Sequence, residues 1–415
     1  MKLTPSIQSF KLLFCLLLML AACKHETTEQ YIAPLFTPPG QVISNQYIIL
    51  FEDNLVDLSK LNSADVQRAQ RPSVGETRKQ IVKDRIFEIV SPMGIRPDAI
   101  IDVYAELMIG FSAVLDNNQL TQLRNHPNVK QIEQDMIVNL PETTLEYQNV
   151  GLRAQSTPCG ITNAGGSADG SASSKWIWIV DTGIDLDHPD LNVETGSQYA
   201  KSFVKGSKSA DDCHGHGTHC SGIAAAKNND IGVVGVSAGA RVVPVRVLNC
   251  QGSGTTSAIL SGLNHVAAND EPGDVVNLSL GGYWGANCDA NSSYSAALKN
   301  MSAAGTRIAI ASGNSAANAA LYTPACANAT NIHTTASMTC AKAWSSFSNY
   351  GVPPVDWVAT GSSVYSTYKD GTYATLSGTS MAAPHVAGIM HNIQASPNQN
   401  GTVTYNNIDY KIAVR

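Results

Sequence analysis

Four short apolar runs constrain this chain more than any other feature: WIWIV (176–180), ARVVPVRVL (240–248), DVVNLSL (274–280) and TRIAIAS (306–312). They are continuous rather than alternating, the pattern of strands buried on both faces. Segments with helical spacing, TTSAILSGLNHVAAND and NSSYSAALKNMSAAG, lie between the later runs. This alternation predicts a doubly wound, mostly parallel α/β sheet over residues 155–415. Sheets of this kind hold their sites beyond the carboxyl ends of the strands. The residues directly after the runs therefore matter most: Asp181, Gly281 with Gly282, and Gly313 with Asn314.

The preceding residues, 41–141, read differently. QYIILF predicts a strand, DVQRAQRPSVGETRKQIVKDRIFEIV a charged helix, and IIDVYAELMIGFSAVL a return to strands. NQLTQLRNHPNV is helical and KQIEQDMIVNL is a last strand. The order β-α-β-β-α-β is the small α+β ferredoxin-like arrangement. A polar connector, 142–154, joins the two units, and 23–40, with PLFTPPG, reads as a tether.

Residues 1–22 carry Lys2 and Lys11 ahead of an apolar run too short to span a membrane comfortably, the pattern of a targeting segment. Its end, Leu20-Ala21-Ala22-Cys23, resembles the bacterial lipobox, which implies a lipid on Cys23 and a cell-envelope lipoprotein; an ordinary signal peptide and secretion is the alternative. Either way the chain is exported. A net charge of −6 argues against nucleic-acid binding. Export favours disulfides. Setting aside Cys15 and Cys23 leaves Cys159, Cys213, Cys220, Cys250, Cys288, Cys326 and Cys340, an odd set with at least one unpaired thiol. The spacing alone does not choose the pairing.

Asp181 ends WIWIVDTG, and a carboxylate at a buried strand tip costs desolvation unless something pairs with it. The adjoining turn could satisfy it without any further role. HGHGTH offers His214, His216 and His219, enough for a catalytic zinc with one open position. Compared with the H-x-H-x-D-H pattern of metallohydrolases, Thr218 replaces the acidic residue. The helix-like continuation THCSGIAAAK instead puts His216 at a helix start, beside a small Gly217. In LSGTSMAAPHVAG, Ser380 enters a helix from a glycine turn, and Pro384 fits only a first helical turn. Ser380 could be a plain N-cap. A helix start also presents N–H groups that can stabilise an oxyanion. Asn314 in ASGNSA is a turn residue or an amide donor. Each piece is weak alone. Together they supply an alcohol, a base, an acid to hold the base, and an oxyanion donor.

VDTGI with HPDL, HGTHCSG, VVNLSLGG, ASGN and SGTSMAAPHVAG resemble the subtilisin-like serine proteases over about 155–390. VRVLNCQGSGTTSAILSGLNHVA is most similar to the proteinase K branch. The order Asp, His, Ser is the one subtilisin shows. The resemblance implies that Asp181 orients the imidazole, His216 is the general base and Ser380 the nucleophile. Asn314 and the Ser380 N–H would form the oxyanion hole, with His214 and His219 structural. It implies that Ser279, Leu280, Gly281, Gly282, Ala311, Ser312 and Gly313 line the pocket for the side chain before the cut bond. Gly252, Ser253 and Gly254 would pair with substrate as a strand. Gly281 and Gly313 leaving that pocket open implies broad specificity with apolar or aromatic preference.

Residues 41–141 are similar to the family's inhibitory propeptide, which assists folding and fills the cleft until removed. AQSTPCGI (154–161) resembles the mature start, which places self-cleavage nearby. Also implied are polypeptide substrates, a monomer, no cofactor for catalysis, and structural calcium near Asn328 with Asp356. The implied disulfides are Cys213–Cys250 and Cys326–Cys340, leaving Cys159 with Cys288, and Cys220 unpaired. The family usually continues well past its serine helix, whereas here only a short polar stretch follows. The rival reading is a non-catalytic binding protein on the same scaffold.

Overall fold

The computed structural model describes residues 31–61, 65–140, 144–149 and 154–415. The targeting segment, Cys23 and the ends of the connector lie outside the described residues.

The N-terminal unit begins earlier than its sequence suggests. Strand β1 (Leu35–Phe36) pairs parallel with Ile132 and Glu133, so part of the expected tether belongs to the sheet. Two residues are too few to show a period, which is why this strand reads as linker. Then follow β2 (Val42–Phe51), α1 (Arg71–Val90), β3 (Ile100–Tyr104), β4 (Gly110–Val114), α2 (Asn117–Arg124) and β5 (Val129–Asn139). The sheet order β5-β2-β4-β3 gives the expected ferredoxin-like topology. Its core contains Ile49, Val82, Ile86, Phe111 and Ile132. The connector contributes β6 (Thr144–Asn149).

The large sheet is built as the four apolar runs predict. Strand β7 (Ile177–Asp181) lies inside it, between β8 (Arg241–Arg246) and β10 (Val275–Leu278). Parallel pairing continues through β11 (Arg307–Ala311), β12 (Ile332–Met338) and β13 (Val355–Thr360). A short strand β9 (Ser253–Thr255) lies outside this sheet and pairs antiparallel with β5. The helices that matter below are α3 (His216–Ala225), α4 (Thr256–Asn269), α5 (Ser293–Ala303) and α6 (Thr379–Ile393). A hairpin, β14 (Val364–Tyr368) with β15 (Thr372–Ser377), carries β6 along its edge.

The polar tail closes the sheet. β16 (Asn398–Tyr405) and β17 (Ile408–Val414) form an antiparallel hairpin, and β17 joins β13 through Val358 and Ile412. Asn406 and Asn407 have φ of 50° and 61°, the paired positive φ of a type I′ turn. Trp344 stacks on Tyr405 with ring centroids 4.7 Å apart. The fold is α/β with a mostly parallel sheet and an α+β unit docked in front of it.

Candidate active site

Asp181 is the last residue of β7 and fully buried. The chain returns through a tight turn, where Gly183 has φ +107° and a side chain would strike the Ala210 carbonyl. His216 opens α3. A Cβ on Gly217 would sit 2.1 Å from the Gly183 carbonyl and 3.2 Å from Asp181 Cβ, so glycine lets the helix start close against the strand tip. His216 Nδ1 then lies 2.8 and 3.0 Å from the two Asp181 oxygens. Burial disfavours an imidazolium here, but the Asp181 carboxylate outweighs it and raises the His216 pKa well above its usual value.

The other two histidines do not join this pair. His219 Nε2 lies 3.0 Å from the Ala374 carbonyl, and burial pushes its pKa down to about 3. Burial, followed by the neighbouring His216, lowers the His214 pKa as well. Among the described residues, the one cluster with converging donor atoms is Asp181, His216 and Cys220, which holds a single member of the histidine set. His216 Nδ1 there already faces the carboxylate. The three histidines thus do not form a zinc-type ligand set.

Ser380 is the second residue of α6 and fully buried. Its hydroxyl donates to the Ser279 carbonyl at 3.1 Å, and His216 Nε2 is buried without a hydrogen-bond partner. The two residues still share one neighbour: Cys220 Sγ lies 3.4 Å from the Ser380 carbonyl and 4.0 Å from His216 Nδ1. Pro384 departs from expectation, since it sits inside α6 beyond the first turn. Its missing N–H would otherwise bond the Ser380 carbonyl. That oxygen accepts from Ser279 Oγ (2.9 Å) and from the Cys220 thiol instead, so the lost helical bond is replaced from two other elements.

Asn314 faces the start of α6. Its carboxamide oxygen accepts from the Thr379 N–H (2.8 Å) and the Thr379 hydroxyl (2.7 Å), one residue before Ser380. Leu280, Gly281, Ala311, Ser312, Gly313 and Asn314 line a cavity of about 100 Å³. Gly282 is there too, and sequence reasoning missed Ser315, Tyr322, Thr323 and Ala325 on its walls. The last three follow a short 3-10 turn, and Tyr322 and Thr323 reach the cavity by pairing with Tyr283 and Gly282. Gly281 and Gly313 do more than leave space. A Cβ on either would strike the Thr323 carbonyl or the Asn349 amide, so both permit close packing of the pocket wall.

The cleft is filled by the chain's own β5. Gly254 pairs with Val138 and Ser253 with Asn139; Asn139 also bridges to Gly281, and the Leu140 N–H donates to the Gly252 carbonyl at 2.9 Å. Two carboxylates, missed in the sequence, fix the register. Asp135 accepts from the Ser257 N–H (3.1 Å) in the first turn of α4, and Glu133 from the Ser293 N–H (2.8 Å) at the start of α5. Both sit where orphan helix N–H groups favour an anion. Burial raises both carboxyls, Glu133 to about 8.

The disulfides are Cys159–Cys340, Cys213–Cys250 and Cys288–Cys326, with Cys220 free and buried. The expected Cys326–Cys340 and Cys159–Cys288 pairs are corrected. Pairing of Tyr322 and Thr323 with Gly282 and Tyr283 carries Cys326 to the Cys288 turn. Cys340 instead follows β12 to the N-terminal helix of Cys159, where Asn163 Nδ2 donates to the Cys340 carbonyl. Asp356 accepts from the Thr334 N–H, whereas the Asn328 N–H donates to Asp289.

The subtilase family profile matches residues 174–410, and the peptidase inhibitor I9 profile residues 46–141. Proteinase R of Parengyodontium album is 36% identical over 86% of this chain and 81% of its own length. The cuticle-degrading protease of Metarhizium anisopliae is 32% identical over 86% and 82%, and subtilisin Savinase of Lederbergia lenta 41% over 57% and 83%. The chain belongs to the subtilase family, as a serine-type endopeptidase preceded by an I9 inhibitor domain.

Proposed function

We propose that peptide bonds are cut here by attack of Ser380 Oγ, with His216 taking the hydroxyl proton and Asp181 holding the imidazole and its charge. The amide of Asn314 and the Ser380 N–H stabilise the tetrahedral oxyanion, an acyl-enzyme forms, and water releases it. No cofactor enters this chemistry. The observation that carries the reading is the fully buried Asp181–His216 pair, whose other ring nitrogen has no partner.

The Ser380 hydroxyl bonds Ser279 while the chain's own strand fills the cleft. Catalytic hydrogen bonds commonly tighten only when substrate is bound. Rotation about the Ser380 side chain is the step that engages the base. His214, His219 and His385 also bury an unpartnered ring nitrogen, so what favours the enzyme over the binding-protein reading is the carboxylate-held His216 imidazole meeting, through Cys220, the start of the Ser380 helix.

The self-inhibited arrangement supports a precursor that cuts itself between the I9 domain and Ala154, then releases residues 41–141. The cavity beside Gly281 and Gly313 supports broad specificity with an apolar or aromatic side chain before the cut. The basic and apolar N-terminus supports export, and Cys23 a lipid anchor.

In the test, wild type and Ser380→Ala are compared on casein and by intact mass. We expect the variant to lose at least about 10⁴-fold in activity and to keep residues 41–141, with the lipid and the mature start read from the same masses. Undiminished casein activity in Ser380→Ala sinks the assignment. An inactive but trimmed variant sinks self-processing alone.

A further inference from the structure

The short 3-10 turn Arg68–Gln70 that leads into α1 has no part in the chemistry above, yet it makes an elaborate polar contact between the two units. Arg68 reaches Asp274 with both terminal nitrogens, Nη1 to Oδ2 at 2.7 Å and Nη2 to Oδ1 at 2.9 Å. Nη2 also lies 3.2 Å from Glu271, and the guanidinium sits 3.9 Å from the centre of the Trp176 ring. The arginine side chain is 11% exposed and that of Asp274 fully buried. The receiving carboxylate is also held from its own side: Asp274 accepts from the Trp176 N–H, the Trp178 indole and the Glu271 N–H. One turn on, buried Arg71 donates to the Asp270 carbonyl.

The position of this contact is what gives it meaning. Trp176 directly precedes β7, and Asp274 directly precedes β10. The catalytic Asp181 and the cleft residues from Ser279 onward lie at the other ends of the same two strands. At about 3.3 Å per residue the two ends are roughly 15 Å apart.

We infer that the peptidase carries a guanidinium-binding pocket, built by Trp176, Glu271 and Asp274, that takes an arginine side chain and is filled by Arg68 of the inhibitor domain. The inference rests on reading residues 41–141 as an inhibitor. The pocket is a second anchor for it, remote from the cleft. Fork-to-carboxylate geometry and stacking on an aromatic face are both properties of arginine that lysine lacks. An inhibitor held at two ends rebinds in the cleft whenever its strand lifts, because the far anchor keeps its local concentration high. Loss of the Arg68 anchor therefore shortens inhibition without touching the cleft.

The test uses the full chain with Ser380→Ala, so that the inhibitor stays attached and the result does not depend on how the triad is assigned. Hydrogen exchange by mass spectrometry reads the amides of β9, above all that of Gly254, which pairs with Val138 of β5. Adding Arg68→Ala is expected to speed their exchange by about tenfold, Arg68→Lys by an intermediate factor and Glu271→Gln by about two- to threefold. Arg85→Ala, which removes an exposed pair with Glu88, is expected to leave it unchanged. Exchange at the wild-type rate in Arg68→Ala, with β4 of the inhibitor still protected, overturns the inference. Should Arg68→Ala expose β4 itself, Glu271→Gln decides, because it leaves the inhibitor sequence intact; an unchanged rate there overturns the pocket equally.

Discussion

Asp181 and Glu133 are both carboxylates with almost no exposure, but they are buried on different terms. Asp181 ends an inner strand and is enclosed by its own unit, with His216 fixed against it by a glycine contact. Glu133 belongs to the inhibitor domain and becomes buried only against the start of α5. There one of its oxygens accepts from Ser293 and the other has no partner. One region keeps its charge permanently paired; the other holds a carboxyl that docking alone removes from water. Burial in the first therefore tunes chemistry, and burial in the second tunes association.

The largest effect expected from this contrast is at Asp181. Asp181→Asn keeps the shape of the site but removes the charge that supports the imidazolium and fixes its tautomer. Turnover on a peptide substrate, per titrated active site, is expected to fall by about 10⁴-fold. Docking of the inhibitor is expected to stay intact, because among the described residues none of its hydrogen bonds or strand pairings involves Asp181. A variant that loses docking along with turnover breaks the contrast.

Glu133 gives the next effect, and its sign follows from linkage. Burial raises its pKa from 4.5 to about 8, with Asp135 raised in the same direction nearby. Docking therefore binds a proton. Its contribution is fully present below the free carboxyl's pKa and is lost as pH rises through about 8. The start of α5 favours the ionised form by only about 0.3–1 kcal/mol, too little to reverse so large a shift. Between about pH 7 and pH 9 the docking constant is expected to fall by about tenfold. The matching measurement is the lag before activity appears after processing, scaled to mature activity at each pH. It shortens across that window in wild type and stays flat in Glu133→Gln. A wild-type lag that lengthens with pH reverses the argument.

The same contrast explains what was legible in the sequence. Continuous apolar runs belong to strands whose two faces are covered by the same unit, so β7, β8, β10 and β11 could be read directly, as could the residues after them. Asp181, His216, Asn314 and Ser380 were found because each follows a strand or opens a helix. Glu133 and Asp135 were not found: in KQIEQDMIVNL they alternate with apolar residues and look like a solvent face. What buries them is a surface far along the chain. The disulfides of Cys159 and Cys288 failed for a related reason, since strand order in space, not spacing, decides which cysteines meet. Pro384 misled in another way. A helix interior tolerates proline when other donors, here Ser279 and Cys220, take over the stranded carbonyl. The tail hairpin carried a readable signal, Asn406-Asn407 between apolar residues, that its polar composition hid.

The smallest effect sharpens the permanent side of the contrast. Thr379 touches no reacting atom, yet its hydroxyl donates to the Asn314 oxygen and accepts from the Gly313 N–H at 3.1 Å. It is thus a positioning residue that aims the Asn314 amide. Thr379→Val removes both bonds at nearly constant volume and leaves the backbone bond from residue 379 to Asn314. If the amide serves only the transition state, kcat falls by about tenfold with KM nearly unchanged, a fraction of the roughly 10²–10³ attached to losing such a donor outright. Thr379→Ser, which restores the hydroxyl, is expected to recover most of the rate. A merely structural role would move stability and KM together and would not separate the two variants by kcat. Equal kcat in valine and serine variants would mean that the backbone bond alone orients Asn314.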